Sequence, residues 1–237
     1  MTLRILALAV LFTIGTAFAQ ITTNYTDAFH TGGNEYQVWG GYSPTSPTWI
    51  GKTEARRLFM AGAGWRRVIL ASNSVAWKFT VDIVPVALLS QPTIVASQGI
   101  TLNAQSETCN GGQVVSETVK DFNGIDLGPC AHPGRRTTYG IGFAPVGFEF
   151  NFRRKHRIQP VLGINAGLLH FTRDVPIDHS MATNFTFSWS GGVQIFTSES
   201  RSVTIGYRFH HISNANASNV NPGVDSNFIY AGYSFHR

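Results

Sequence analysis

Apolar and polar positions alternate with period two in eight stretches of this chain, near 34–43, 57–70, 76–88, 138–152, 158–171, 183–197, 201–213 and 225–235. Successive side chains of a strand point to opposite faces, so each stretch predicts a strand with one apolar and one polar face. The clearest is 77–83, where Trp77, Phe79, Val81 and Ile83 share one face and Lys78, Thr80 and Asp82 the other. Turn residues separate the stretches, and no linker rich in proline or serine divides them.

The connections choose between a soluble sandwich and a membrane barrel. Those at 44–56, 89–137, 172–182 and 214–224 are long, and those at 71–75, 153–157 and 198–200 are short. Long and short therefore alternate, which places them at opposite ends of the sheet. An even number of strands with tight turns at one rim and long loops at the other is the pattern of an outer-membrane barrel. A soluble lipocalin-like barrel would carry a more apolar interior, whereas the inward set here includes Lys78, Asp82, Arg208 and His210. The fold expected is an all-β, eight-stranded antiparallel transmembrane barrel.

Composition agrees with a β protein having much surface away from water: 12% aromatic residues, 24 glycines and only 13% charged residues. Residues 1–19 read as a signal peptide, with Arg4, an apolar run from Ile5 to Ile14 and the small-residue ending Ala17-Phe18-Ala19. Residues 20–237 then form a single barrel domain. The run is too short for a spanning helix, which needs about 20 residues. Cys109 and Cys130 lie in one long connection, and an even count in an oxidising compartment favours a disulfide. No His-Glu-x-x-His or paired Cys-x-x-Cys spacing supports a metal centre, and no cofactor is expected.

The formal charge is +5. Its positive charges cluster at Arg56-Arg57, Arg66-Arg67, Arg135-Arg136 and Arg153-Arg154-Lys155 with Arg157, without the interleaved aromatics of a nucleic-acid groove. In an exported chain a phosphorylated lipid head group is the better acidic partner; solvated loop charge is the alternative. Trp39, Trp65, Trp77 and Trp189 read as interfacial or packing residues. Arg208, His210, Asp82 and Glu149 read as members of an interior network.

Polar chemistry concentrates at 208–228. Val203, Ile205, Tyr207 and Phe209 take the lipid side of their strand, and the same parity carries His211 and Ser213 to that side. Ile229, Ala231, Tyr233 and Phe235 are the outward set of the last strand, and Asp225 shares their parity. With both ends of the barrel strands periplasmic, the 214–224 loop lies outside, so the three residues meet at the outer-leaflet rim. A serine hydroxyl becomes a nucleophile when a histidine takes its proton, and a carboxylate orients the histidine. Asn214 and Asn221, with backbone amides of the loop, are candidates for an oxyanion site or for holding the loop. A His-x-Ser pair alone is equally an ordinary loop histidine beside a turn serine.

His211-x-Ser213-Asn214-Ala215 followed by Asn221-x-Gly223-x-Asp225-Ser226 resembles the terminal motif of the outer-membrane lipid A 3-O-deacylases of the PagL type. That motif has a His, a Ser two residues later and an acid twelve beyond the Ser. The resemblance is specific over about 201–235. It implies a serine esterase whose catalytic groups face the lipid and whose substrate is the acyl chain esterified at the 3-position of lipid A, with a homodimer left open. Asp225 stands where the family's acid is expected to be Glu, one methylene longer. Phe185 or Phe187 is expected to shape the site. The other readings are an outer-membrane phospholipase on the same barrel and a non-catalytic structural or adhesion barrel.

Overall fold

The structure, a computed structural model, describes residues 28–96, 101–103, 106–108, 131–177 and 179–237, with only the backbone path given for 93–96, 101–103, 106–108 and 131–133. The signal-peptide segment and both cysteines lie outside the described residues. The described residues form ten strands: β1 (Asn34–Ser43), β2 (Arg57–Ala71), β3 (Val75–Ala96), β4 (Thr101–Asn103), β5 (Ser106–Thr108), β6 (Ala131–Phe152), β7 (Ile158–Val175), β8 (Met181–Ser198), β9 (Arg201–Ser213) and β10 (Val224–His236). Eight of them close a barrel in the order β1-β10-β9-β8-β7-β6-β3-β2, and β4 and β5 pair only with each other. Every neighbouring pair in the barrel is antiparallel.

Closure leaves no long open edge, as backbone groups in hydrocarbon require. β1 has 10 residues, the length of a tilted strand that crosses a bilayer. β3 and β6 have 22 each and remain paired up to Ala96 and Ala131, so a ribbon rises above the outer rim. Much of the expected 89–137 loop is therefore strand. The strand expected to end at 88 runs on through Pro92, which sits in register opposite Arg135 although proline lacks an N–H. The expected 172–182 loop likewise contracts to 176–180, since β7 and β8 continue to Val175 and Met181.

The period-two pattern sorts as expected. Val38, Ile83, Leu162, Phe187, Ile205 and Ile229 are exposed on the outer wall. The interior is filled in layers. Phe29, Val68, Ala76 and Phe196 close the periplasmic end, and Leu58, Leu89, Phe171, Ile212, Val224 and Phe228 pack the outer end. Between them Lys78 contacts Glu149 and bonds Glu35 at 2.7 Å, while Arg66 lies 3.6 Å from both Asp82 and Glu149. Trp39 is inside this network and bonds Asp82 at 3.0 Å, with the Arg208 guanidinium 4.5 Å over its ring. It is thus a packing residue.

Removing one member of a buried charge cluster strands its partners without water. Lys78→Met is therefore expected to destabilise the barrel by roughly 3–5 kcal/mol. Glu35→Gln added to it should restore part of that, read as the shift in urea midpoint of the folded protein in detergent.

Candidate active site

β9 and β10 position the polar cluster through their register. Asp225 is directly opposite His211, and on the other side of β9 Phe187 pairs with His211 and Phe185 with Ser213. Residues directly opposite in an antiparallel pair hold their Cβ atoms about 5 Å apart. The expected meeting of His211 and Asp225 occurs: His211 Nδ1 lies 2.6 Å from Asp225 Oδ1. The carboxylate can only accept, so Nδ1 carries the proton and Nε2 presents its lone pair. Asp225 is fully buried, and the His211 side chain keeps 16% of its surface. The register also resolves the aromatics: Phe185 and Phe187 are both exposed on the lipid side, flanking Ser213 and His211.

Ser213 is half-buried on the same side of β9, and two residues along a strand span about 6.6 Å. Its Oγ has no hydrogen-bond partner among the described residues, so engagement with Nε2 requires side-chain rotation; such contacts commonly tighten only with substrate present.

The two asparagines are occupied within the loop. Asn214 Nδ2 donates to Val220 O at 2.8 Å, and its Oδ1 accepts from Asn216 N at 3.0 Å. Asn221 Oδ1 accepts from Asn214 N at 3.1 Å, and its Nδ2 donates to Asn216 Oδ1 at 3.0 Å. Ala215 and Asn216 both have positive φ, 52° and 62°, which this lattice of side-chain bonds offsets.

Residues outside the sequence reading complete the site. The β1–β2 connection, residues 44–56, folds down over the outer ends of β9 and β10. The amides of Trp49, Ile50 and Gly51 all donate to Asp225 Oδ2, at 2.8, 2.7 and 3.0 Å. The Trp49 ring stacks on Phe209 with centroids 5.1 Å apart, and Phe209 is stacked against Trp189 at 6.0 Å. Phe209, expected to face lipid, is therefore only 1% exposed although its parity is outward. The signal in the sequence was Trp49-Ile50-Gly51, an apolar pair and a glycine inside a loop of Ser, Thr and Pro.

Glycine at two positions allows this approach. Gly223, with φ +64°, would place a Cβ 3.1 Å from His211 Cε1. At Gly51 a Cβ would meet Gly223 C at 2.9 Å and Val224 N at 3.0 Å.

A closed eight-stranded barrel, apolar outside and filled inside, defines an outer-membrane protein, and comparison with known proteins points to an ester hydrolase. The family profile described as lipid A 3-O-deacylase (PagL) matches residues 123–234, a stretch that runs from before β6 into β10 and includes His211, Ser213 and Asp225. Over that stretch, a little under half of its length, the chain is similar to this family of outer-membrane ester hydrolases. The crystal structure of the outer membrane enzyme PagL superposes with a TM-score of 0.52 at 16% identity, covering 83% of this chain and 97% of that one. Neisserial surface protein A gives a TM-score of 0.45 at 13% identity, covering 86% and 98%. The N-terminal barrel of Pseudomonas aeruginosa OprF gives 0.41 at 7%, covering 87% and 98%. No curated protein matches the sequence significantly.

Proposed function

We propose that this chain is a serine esterase that removes the acyl chain esterified at the 3-position of lipid A, with Ser213 as nucleophile, His211 as general base then acid, and Asp225 as the orienting group. The observation that carries this reading is the 2.6 Å contact between His211 Nδ1 and Asp225 Oδ1 on the lipid-facing side of the outer rim, with Ser213 next on that side. A polar trio at that place is solvated poorly, and an ester linkage at the base of an acyl chain is the group that lies at its depth.

In the first half-reaction His211 Nε2 takes the Ser213 hydroxyl proton as Oγ bonds to the ester carbonyl carbon. Collapse of the tetrahedral intermediate breaks the bond to the sugar oxygen, which leaves with the proton from Nε2. Water then repeats the sequence on the acyl-serine, giving the free fatty acid and restoring Ser213. Asp225 stabilises the imidazolium in both steps. Asn214 and Asn221 act as loop support in this reading, since the Asn214 side chain bonds the backbone of Val220 and Asn216 and the Asn221 side chain bonds the Asn214 backbone amide and the Asn216 side chain.

Basic residues at the same rim suit the head group. Arg57 starts β2, and Arg135 on β6 donates to Ala55 O at 2.8 Å, which supports grouping Arg56, Arg57 and Arg135 at the outer end of the barrel. The other clusters lie elsewhere: Arg66 is in the interior network, and Arg153 to Arg157 form the periplasmic β6–β7 turn.

Mass spectrometry of lipid A from cells expressing the wild type should show loss of one 3-linked acyl chain, and cells expressing Ser213→Ala should not. Unchanged lipid A with lysophospholipid accumulating instead would assign the barrel to phospholipid hydrolysis.

A further inference from the structure

β10 outruns its neighbour. The β1–β10 ladder stops at Tyr42↔Ile229, so the β10 edge from Gly223 to Asn227 has no strand beside it. The end of β1 and the 44–56 connection cover that edge: Asn227 N donates to Ser43 Oγ at 2.9 Å, while from the connection Lys52 N donates to Pro222 O at 2.6 Å and Thr53 Oγ1 to Gly223 O at 2.6 Å. The three amides on Asp225 Oδ2 are additional, and three consecutive N–H groups converging on one oxygen form a concave site suited to a carboxylate.

We propose that residues 49–51 are positioning residues of the triad: their backbone amides hold Oδ2 of Asp225 and so turn Oδ1 onto His211. This inference rests on the esterase reading of His211, Ser213 and Asp225. An aspartate directly across from a histidine has a short side chain, and only one rotation of its carboxylate brings an oxygen to Nδ1. Three donors on the other oxygen select that rotation. A connection on the far side of the barrel seam thereby becomes part of the catalytic geometry, and the acid needs no extra methylene to reach its partner.

Gly51→Ala tests this. Its Cβ would meet only backbone of the 223–225 segment, at 2.9 to 3.1 Å, so the connection must withdraw from Asp225. With lipid A in detergent micelles, kcat is expected to fall about 100-fold, the order of effect of displacing a catalytic group by about 1 Å, with KM changed less than twofold. Heat-modifiable migration on gels checks that the barrel is folded. Thr53→Val, which deletes one docking bond without adding volume, should lower kcat in the same direction by a smaller factor, and it carries the test if Gly51→Ala does not fold.

The discriminating variant is the double one. Asp225→Glu alone should be harmful because the longer side chain meets the amides of 49–51. Added to Gly51→Ala, it should raise kcat at least tenfold over Gly51→Ala, because withdrawal of the connection leaves room for the longer acid to reach His211. A wild-type kcat for Gly51→Ala, a loss confined to KM, or an equal penalty from Asp225→Glu in both backgrounds would each overturn the proposal. If Ser213→Ala is inactive while Gly51→Ala is unimpaired, only the positioning role falls. If Ser213→Ala retains activity, the esterase reading falls and this inference with it.

Discussion

Ser213→Ala and His211→Ala are each expected to lower turnover of lipid A by about 10⁴-fold or more while leaving a folded barrel. The size follows from the proposed triad acting as a unit: in that mechanism there is no acyl-enzyme without the hydroxyl, and without the imidazole the hydroxyl keeps its proton. The barrel survives because both side chains lie on the outer face of β9, whose backbone is paired on both sides by β8 and β10. A fluorophosphonate probe should label the wild type in lipid-containing micelles and fail to label Ser213→Ala. Turnover within tenfold of wild type in either variant would remove that residue from the chemistry.

Both simple replacements of Asp225 are expected to be strongly impaired, for different reasons. Read from the sequence, a shorter acid suggests that Asp225→Glu would keep or raise activity, unless the aspartate merely caps a loop, in which case Asn would substitute well. The structure gives Asp225 both tasks at once: Oδ1 meets His211 at 2.6 Å, and Oδ2 takes three backbone amides. Asp225→Asn can still offer its carbonyl oxygen to those amides, but its NH₂ then faces His211 Nδ1. The ring must accept there, which moves its proton to Nε2 and removes the base. A loss of about 10³–10⁴-fold in kcat is expected, as for other acids that set a histidine tautomer, with thermal stability close to wild type. Asp225→Glu keeps a carboxylate but crowds a fully buried position between Gly51 and His211. It should lose about 10²-fold in kcat and also lower the melting temperature, because overpacking costs about 1–3 kcal/mol. Rates that rank Glu at or above wild type would show that the 49–51 amides are not a constraint.

The fold was legible because its determinants are local. Alternation along each strand, such as Trp77 to Ile83, states which side meets lipid wherever the chain is regular. His211, Ser213 and Asp225 could be placed on one side by parity and joined by the shortness of their connecting loop. Parity failed where another segment intervened. Phe209 has an outward position and is covered by Trp49, and the strand readings ended at 88 and resumed at 138 although β3 and β6 stay paired to Ala96 and Ala131. The arginine pairs were equivalent in sequence, and only closure of the barrel sent Arg66 inside and Arg56, Arg57 and Arg135 to the outer rim.

By itself, then, the sequence determined the barrel, the face on which His211, Ser213 and Asp225 lie and the acid that pairs with the histidine. Each of these depends on period-two geometry and on partners adjacent in the chain. What only the tertiary structure decided is how Asp225 is held. The 49–51 amides come from 174 to 176 residues away, across the seam where β1 meets β10. Nothing in the spacing of a loop encodes which distant edge it will cover. That is settled when the barrel closes, β10 is left longer than β1, and the unpaired backbone at its end must find donors and acceptors from whatever chain lies beside it.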